Sequence, residues 1–297
     1  MIVDFHVHST SSDGTLSPKE LALEALSKNF RAIALTDHDN ANGVEEFTSA
    51  SLIASIPSPS PCARIAGIEL SIEPGASFDK FHLLGLGIDP KNEKLKKFLR
   101  SILAGRNERN KKILENFSRL GIEIASEDIA NYSNGEVLAR PHFARWLMLH
   151  GYSPSIKEAF AKFLLPDSPR QTRCYEERYH PSQEEAFDVI HSAGGLCIMA
   201  HPKYWRRNWK DIGPDFDAAE KELKRLKEAG LDGIEALYEA NTIEENITFT
   251  RIANRLKVLK SCGSDFHGAN KPTIHLGMEA TEEFISPLLE KLAAAQN

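Results

Sequence analysis

The sequence predicts an α/β fold: a barrel of strand–helix units interrupted by an all-helical insertion. Three observations lead there. Short apolar runs alternate with helical patterns over the first 90 residues and again after about residue 180. Between them, from about Asn92 to Leu165, the pattern is helical almost throughout. Finally, histidines and carboxylates fall at the ends of successive apolar runs, as they do on the rim of a closed parallel α/β barrel.

The elements follow in order. Ile2 to Phe5 is the first strand. Ser17-Pro18-Lys19-Glu20 is a capping box with proline at the first helical position, and it opens a helix reaching about Lys28. Arg31 to Thr36, Arg64 to Leu70 and Phe81 to Gly87 are the next strands, with a Ser/Pro loop at 55–61 after the second. In the middle, Ile113, Leu114, Phe117 and Leu120, then Phe143, Trp146 and Leu147, recur at helical spacing. Alternation resumes at Ser182-Gln183-Glu184-Glu185, a second capping box whose helix ends at Gly194-Gly195. Strands are expected at Leu196 to Ala200, Gly233 to Leu237, Lys257 to Cys262 and Ile274 to Glu279. Helices are expected at 216–229, 243–256 and 282–295. The organisation is therefore a barrel from 1–99 and 179–297, with a helical insertion at 100–178.

Composition narrows the function classes. The 297 residues carry 36 Lys+Arg against 42 Asp+Glu, a net charge of -6. A protein that grips long nucleic acid by neutralising phosphates is usually basic, so stable duplex binding is not expected. A small phosphorylated ligand in a local positive pocket is compatible. No stretch reaches the roughly 20 apolar residues of a membrane span. The opening Met1-Ile2-Val3-Asp4-Phe5-His6 does not resemble a secretory leader. The four cysteines (Cys62, Cys174, Cys197, Cys262) are far apart and suit a reducing cytoplasm.

The chemistry lies in the histidines. His6 and His8 flank Val7 just after the first strand, and residues i and i+2 of an extended segment point the same way. Asp13 follows in a polar turn. His38 sits in Thr36-Asp37-His38-Asp39, Glu69 near the end of the third strand and His82 near the start of the fourth. His201-Pro202 follows the fifth, and Asp265 and His267 lie in Gly263-Ser264-Asp265-Phe266-His267-Gly268. Six imidazoles and three carboxylates would thus converge on one rim. Desolvating them uncompensated is costly, and divalent metals remove that cost. Nine ligands exceed what one ion takes, so two or three ions are expected, and manganese, iron and zinc all suit imidazole and carboxylate. Asp37 or Asp39 is a candidate to orient a ligand imidazole.

These segments resemble the polymerase-and-histidinol-phosphatase (PHP) family of metal-dependent phosphoesterases. The resemblance rests on Asp4-Phe5-His6-Val7-His8-Ser9, Ser12-Asp13-Gly14-Thr15, Leu35-Thr36-Asp37-His38-Asp39, Gly67-Ile68-Glu69, His82-Leu83-Leu84-Gly85, Ala200-His201-Pro202 and Gly263-Ser264-Asp265-Phe266-His267-Gly268. It implies a distorted seven-stranded (β/α) barrel. It also implies nine metal ligands: His6, His8, Asp13, His38, Glu69, His82, His201, Asp265 and His267. Asp13, Glu69, His201 and His267 are the catalytic candidates among them. Arg140-Pro141-His142 within the insertion, with Tyr175 to Arg178 after it, is similar to the stand-alone subgroup. That subgroup includes nucleoside 3′,5′-bisphosphate phosphatases, some of which also act 5′-to-3′ on short RNA. The implied substrate contacts are Arg140, His142, Arg178 and Arg106. Arg109 is a further candidate for such a contact, but Arg106 and Arg109 read more readily as solvated charges on a helix face. Trp205 and Trp209 are candidates to stack on a base. Cys174-Tyr175-Glu176-Glu177-Arg178 departs from the subgroup pattern by placing two acids near the expected phosphate.

The expected reaction is hydrolysis of a phosphate monoester of a small nucleotide such as a nucleoside 3′,5′-bisphosphate, with short RNA cleaved 5′-to-3′ as an extension the resemblance allows and the insertion roofing the rim against duplexes. Histidinol phosphate or another small phosphomonoester is the alternative substrate. A metal-binding module tied to a polymerase is disfavoured, because no polymerase sequence is present. Amide hydrolysis is disfavoured too, because Glu69 stands where such barrels commonly use a carboxylated lysine.

Overall fold

The computed structural model describes residues 1–50, 62–73, 81–130, 138–204 and 216–295. The Ser/Pro stretch at 55–61, Trp205 and Trp209 lie outside the described residues. Eight strands form one sheet that curls almost shut. They are β1 (Ile2–Val7), β2 (Ala32–Leu35), β3 (Ala63–Ile72), β4 (Phe81–Leu86), β5 (Leu196–Met199), β6 (Gly233–Tyr238), β7 (Leu259–Gly263) and β8 (Met278–Glu279), in the order β7-β6-β5-β4-β3-β2-β1-β8.

β8 is only two residues long and pairs antiparallel with β1 at Ile2 and Val3. The strand expected from Ile274 is cut short because Gly277 takes a left-handed φ of 98°. Further along β1, the segment after β7 takes over. Asp265 N–H donates to His6 O and His8 N–H donates to Phe266 O, both at 2.9 Å. Seven strands therefore make the ring, and β8 is an addition at its seam. Asp4 clamps that seam from inside. Its fully buried carboxylate accepts from Ser264 N–H (3.0 Å), Ser264 Oγ (2.6 Å) and Gly277 N–H (2.9 Å). Burial nevertheless pushes its pKa up to about 6.

The strands are not all parallel, which corrects one expectation. β4 runs antiparallel to both β3 and β5. The reason is visible in the spacing: a parallel crossover needs a dozen or more residues, and β3 and β4 are separated by too few. The reversal carries the start of β4 to the rim where its neighbours end. His82 consequently sits opposite Ser71, two residues beyond Glu69.

Helices α1 (Pro18–Ser27) and the short, unforeseen α2 (Val44–Ser49) cover the first strands. The Ser17 box forms as expected: Glu20 N–H donates to Ser17 Oγ (3.2 Å) and Ser17 N–H to Glu20 Oε2 (2.7 Å). α3 (Glu93–Arg119) runs past the expected boundary at 99/100. Its Leu95 and Ile102 pack with the barrel-side core, while Ile113 and Phe117 pack with Phe143, Trp146, Leu147 and Phe163. The second group comes from α3, α5 (Arg140–Leu149) and the turn Phe160–Leu164, which has π-type bonding and follows α6 (Ile156–Ala159). α4 (Ser126–Ala130) precedes α5. After α7 (Gln183–Ser192) come α8 (Phe216–Ala229), α9 (Ile243–Leu256) and α10 (Glu282–Ala295), where the hydrophobic pattern puts them. α10 buries Ile285, Leu288 and Leu292 against Val3, Leu86 and Leu196, at the barrel end opposite the histidines. No helix among the described residues is long and apolar enough to cross a membrane.

Candidate active site

Glu69 is the hub of the rim. Its Oε1 lies 2.7 Å from His82 Nδ1 and 3.2 Å from His201 Nε2. Its Oε2 lies 2.9 Å from His38 Nδ1, 3.2 Å from His8 Nε2 and 3.3 Å from His6 Nε2. Five imidazoles from the ends of β1, β2, β4 and β5 or just beyond them thus surround one carboxylate, with its two oxygens facing different sets. Asp13 approaches from the turn after β1, 3.3 Å from His267 Nε2 and 3.9 Å from His38 Nε2. Asp265 Oδ1 lies 3.4 Å from His8 Nε2 and 3.7 Å from His6 Nε2. All nine sequence-predicted rim residues therefore meet. They form four overlapping groups of three or four whose nitrogen and oxygen atoms lie within 4.8 Å of one another.

The chemistry of this donor set fits divalent cations. His6 Nε2, both ring nitrogens of His8, His38 Nδ1 and Glu69 Oε2 are buried with no hydrogen-bond partner. Leaving five such atoms unsatisfied would cost roughly 1–3 kcal/mol each. The electrostatics show the same demand. Burial pushes the Glu69 carboxyl up, yet His38, His6 and His82 hold it well below its usual range. Burial pushes His6 down, yet Glu69, Glu235 and Asp265 carry it well above. Anionic oxygens and imidazole lone pairs at this density are what a cation neutralises.

The supporting shell differs from the sequence reading. Neither Asp37 nor Asp39 orients an imidazole. Asp37 accepts from Ser9 N–H (2.7 Å), Ser9 Oγ (2.6 Å) and Ser12 Oγ (2.6 Å), so it pins the turn that carries Asp13. The orienting carboxylate is Glu235, on β6 and fully buried. Its Oε1 is 3.1 Å from His6 Nδ1, and its Oε2 accepts from His201 N–H at 2.6 Å. With the carboxylate as acceptor, the His6 proton sits on Nδ1 and the Nε2 lone pair faces the cluster. A charged residue inside the apolar run Gly233 to Leu237 was the available signal. Gly263 makes room for it, since a Cβ there would run into Glu235 Oε1 and His6 Cβ. Backbone strain also gathers here: Asp39, His201 and Asp265 all have left-handed φ, at 50°, 27° and 60°.

A second pocket, of about 250 Å³, opens beside His82 and is lined by Asp13, His38, Arg106, Arg109, Arg140 and Arg178, among others. Arg106 and Arg109 are buried, not solvated as a helix-face reading has it. Asp39 Oδ2 accepts from Arg106 Nε (2.9 Å) and Nη2 and from Arg178 Nη2 (2.9 Å). One carboxylate therefore holds two guanidinium groups. Arg140 donates to Leu164 O (3.2 Å) and lies over the Tyr175 ring, and Arg109 Nε donates to Asn110 Oδ1. Burial, then the charges of Arg106, Arg140 and Arg178, pulls Arg109 down to about 9, still cationic at neutral pH. His142 is not on this wall. Its Nδ1 accepts from Ala139 N–H (3.0 Å) and closes the start of α5. His180 does line the pocket, although nothing in its sequence setting marks it. The two acids of the departure are engaged: Glu176 accepts from Asn116 Nδ2 (2.7 Å), and Glu177 accepts from Tyr175 Oη (2.6 Å).

A profile of the PHP domain matches residues 4–235, most of the chain and most of the rim. The chain belongs to the PHP domain family. It is 32 % identical over 266 residues to a 3′,5′-nucleoside bisphosphate phosphatase of Chromobacterium violaceum, covering 89 % of this chain and 87 % of that one. It is 29 % identical to the 5′-3′ exoribonuclease Rnm of Salmonella typhimurium, covering 93 % and 88 %. Among solved structures, an amidohydrolase from Chromobacterium violaceum with bound sulfate and no metal superposes with a TM-score of 0.80. That match is at 30 % identity and covers 99 % of this chain and 96 % of that one.

Proposed function

We propose that this metal-dependent phosphoesterase hydrolyses a phosphate monoester of a small nucleotide, and that a nucleoside 3′,5′-bisphosphate is the substrate class that suits it. The observation that carries the reading is a pocket lined by four arginines, Arg106 and Arg109 buried and Arg140 and Arg178 half-buried, that opens directly onto the imidazole–carboxylate cluster. One anion site is enough for a simple monoester; two adjacent ones suit a molecule with two phosphates. The name of one relative, a 3′,5′-nucleoside bisphosphate phosphatase, points the same way. Histidinol phosphate fits less well, because its ammonium group would meet a cationic wall.

In this reading the nine rim residues, His6, His8, Asp13, His38, Glu69, His82, His201, Asp265 and His267, hold two or three divalent ions. Manganese is favoured by imidazole and carboxylate donors without thiolate. Such ions, when bound, activate a water and offset phosphoryl charge. The chain's own contribution is placement. Glu69 offers one oxygen to each set of imidazoles, and Glu235 fixes the His6 tautomer. Arg109 and Arg140 hold the non-reacting phosphate, and bidentate guanidinium geometry suits that task. Arg106 and Arg178, braced by Asp39, complete the positive wall, and His142 positions Arg140 by closing its helix. We take 100–178 as a cap that keeps duplexes off the rim. We also place the protein in the cytoplasm, which its four buried free thiols suit.

The test is phosphate release from adenosine 3′,5′-bisphosphate, histidinol phosphate and p-nitrophenyl phosphate, with Mn2+ returned after chelation. The bisphosphate should be turned over fastest. Full activity after exhaustive chelation, or a preference for histidinol phosphate, overturns the reading.

A further inference from the structure

Asp265 serves the cluster twice. Its Oδ1 lies 3.4 Å from His8 Nε2 and 3.7 Å from His6 Nε2. Its carbonyl oxygen lies 2.8 Å from His267 Nδ1. With that carbonyl as acceptor, the His267 proton sits on Nδ1, and Nε2 faces Asp13. Two of the nine rim residues therefore depend on how residue 265 is held. Its backbone has a left-handed φ of 60°, which a residue other than glycine keeps only where its surroundings impose it.

The outer oxygen shows what holds it. Asp265 Oδ2 accepts from Tyr238 Oη at 3.0 Å and from Lys271 Nζ at 2.6 Å. Both donors spring from fixed backbone. Tyr238 ends β6, is buried, and its N–H donates to Asn246 Oδ1 at 3.1 Å. Lys271 follows the turn Gly268–Asn270, and its N–H donates to Gly268 O at 3.1 Å. That turn is tied to the loop that carries Asp13. Ala269 N–H donates to Thr15 Oγ1 (2.9 Å) and Asn270 Nδ2 to Asp13 O (2.8 Å). Two donors occupy the lone pairs of Oδ2, so Asp265 offers the cluster one oxygen, Oδ1.

Lys271 has two opposed effects on a cation bound at Oδ1. Its charge repels the ion, and its hydrogen bond aims the ligand. The Lys271 side chain is 40 % exposed, so water screens the repulsion. The Asp265 side chain is 8 % exposed, so its orientation is set by its protein partners. Aiming therefore outweighs repulsion. We propose that Lys271 and Tyr238 are positioning residues for one metal position, the one that His6, His8 and Asp265 can share. They set its affinity separately from the positions that Glu69 serves with His201 and with His38 and His82. Without the clamp, Oδ1 turns away from His6 and His8, whereas Glu69 stays held by its imidazoles.

This rests on the multinuclear reading of the rim, and calorimetric titration of the chelated protein with Mn2+ separates the two. In Lys271→Met one ion per chain should bind about 10-fold more weakly, the order expected of an outer partner, and the others as in the wild type. Tyr238→Phe changes no charge and should weaken the same ion. The double variant should reach about 100-fold, and Lys271→Arg should restore wild-type binding. Unchanged or tighter binding in either single variant overturns the proposal. So does an equal loss at every position, which would be general damage to the barrel. A wild type that binds one Mn2+ or none overturns the multinuclear reading and this one with it.

Discussion

The imidazole–carboxylate cluster and the arginine pocket share His82 but are built in opposite ways. The cluster stands on strand ends and the turns just beyond them, where the sheet ladder fixes each backbone position. Its groups attract one another and any cation. The arginine pocket is assembled from α3, the first turn of α5 and the segment before α7, and its groups repel. One carboxylate, Asp39, braces two guanidiniums, while burial and then the neighbouring cations pull Arg109 down to about 9 and Arg178 down to about 10. A site that attracts itself can close around a bound ion. A site held open against its own repulsion gains most when an anion arrives. The difference makes separable predictions: damage to the first region should abolish metal binding, and damage to the second should change only which phosphates are held.

The largest effect should come from Glu69→Gln. The amide keeps the shape but loses the charge that five imidazoles face, and one of its two ends becomes a donor aimed at ring nitrogens. Metal content, measured by elemental analysis, and turnover of every substrate should both collapse. The loss should exceed the roughly 10–100-fold typical of an outer partner. Circular dichroism should show the fold intact. Retained metal with lost activity would move Glu69 from metal holding to some other role.

Glu235→Gln should come next, at about 10–100-fold in metal affinity. A glutamine cannot accept both from His6 Nδ1 and from His201 N–H in the same way, so the His6 tautomer is no longer fixed. Activity should recover at saturating Mn2+, whereas it should not for Glu69→Gln. Equal failure of the two at all metal concentrations would make Glu235 a structural residue of the barrel and nothing more.

How much of this was legible in the sequence follows the same division. The nine rim residues could be found because each lies within a few residues of a strand end and strand ends share a rim. Even so, His82 came out on the right rim for a reason the pattern did not contain. A parallel β4 would have carried it to the far end, and only the short β3–β4 link reverses it. Glu235 escaped because its partner, His6, is 229 residues away. Arg106 and Arg109 read as solvated charges because helix periodicity says which residues share a face, not whether another segment covers that face. His142 read as a phosphate contact because it adjoins Arg140. Its Nδ1 accepts from Ala139 N–H at the start of its own helix, where Ala139 has extended backbone.

Substitutions in the arginine pocket should be milder and selective. Arg109→Ala and Arg140→Ala should each lower kcat/KM on adenosine 3′,5′-bisphosphate by about 10-fold. That is the low end for a charge-assisted hydrogen bond, since three guanidinium groups remain. Activity on p-nitrophenyl phosphate, which has no second phosphate, should change little, and metal content not at all. Parallel losses on both substrates would assign these arginines to the reacting phosphate and erase the contrast between the two regions.

The smallest effect should have the opposite sign. Glu177 is one of two acids, with Glu176, that line the arginine pocket. Its Oε2 accepts from Tyr175 Oη and its Oε1 lies 3.2 Å from His180 Nε2, on the wall of the pocket proposed to hold the second phosphate. A glutamine preserves the length and can still accept from Tyr175, but it removes a negative charge. The Glu177 side chain is 57 % exposed, so water screens most of its repulsion, and exposed charge pairs are worth under about 1 kcal/mol. Glu177→Gln should therefore raise kcat/KM on the bisphosphate by about 2–5-fold, through a lower KM with kcat unchanged. The gain should shrink as salt is added, because the repulsion it removes is screened. p-Nitrophenyl phosphate should show no gain. A fall in kcat/KM would mean that Glu177 acts through its hold on Tyr175, whose ring lies under Arg140. The acid would then be a brace for the pocket and not a brake on it.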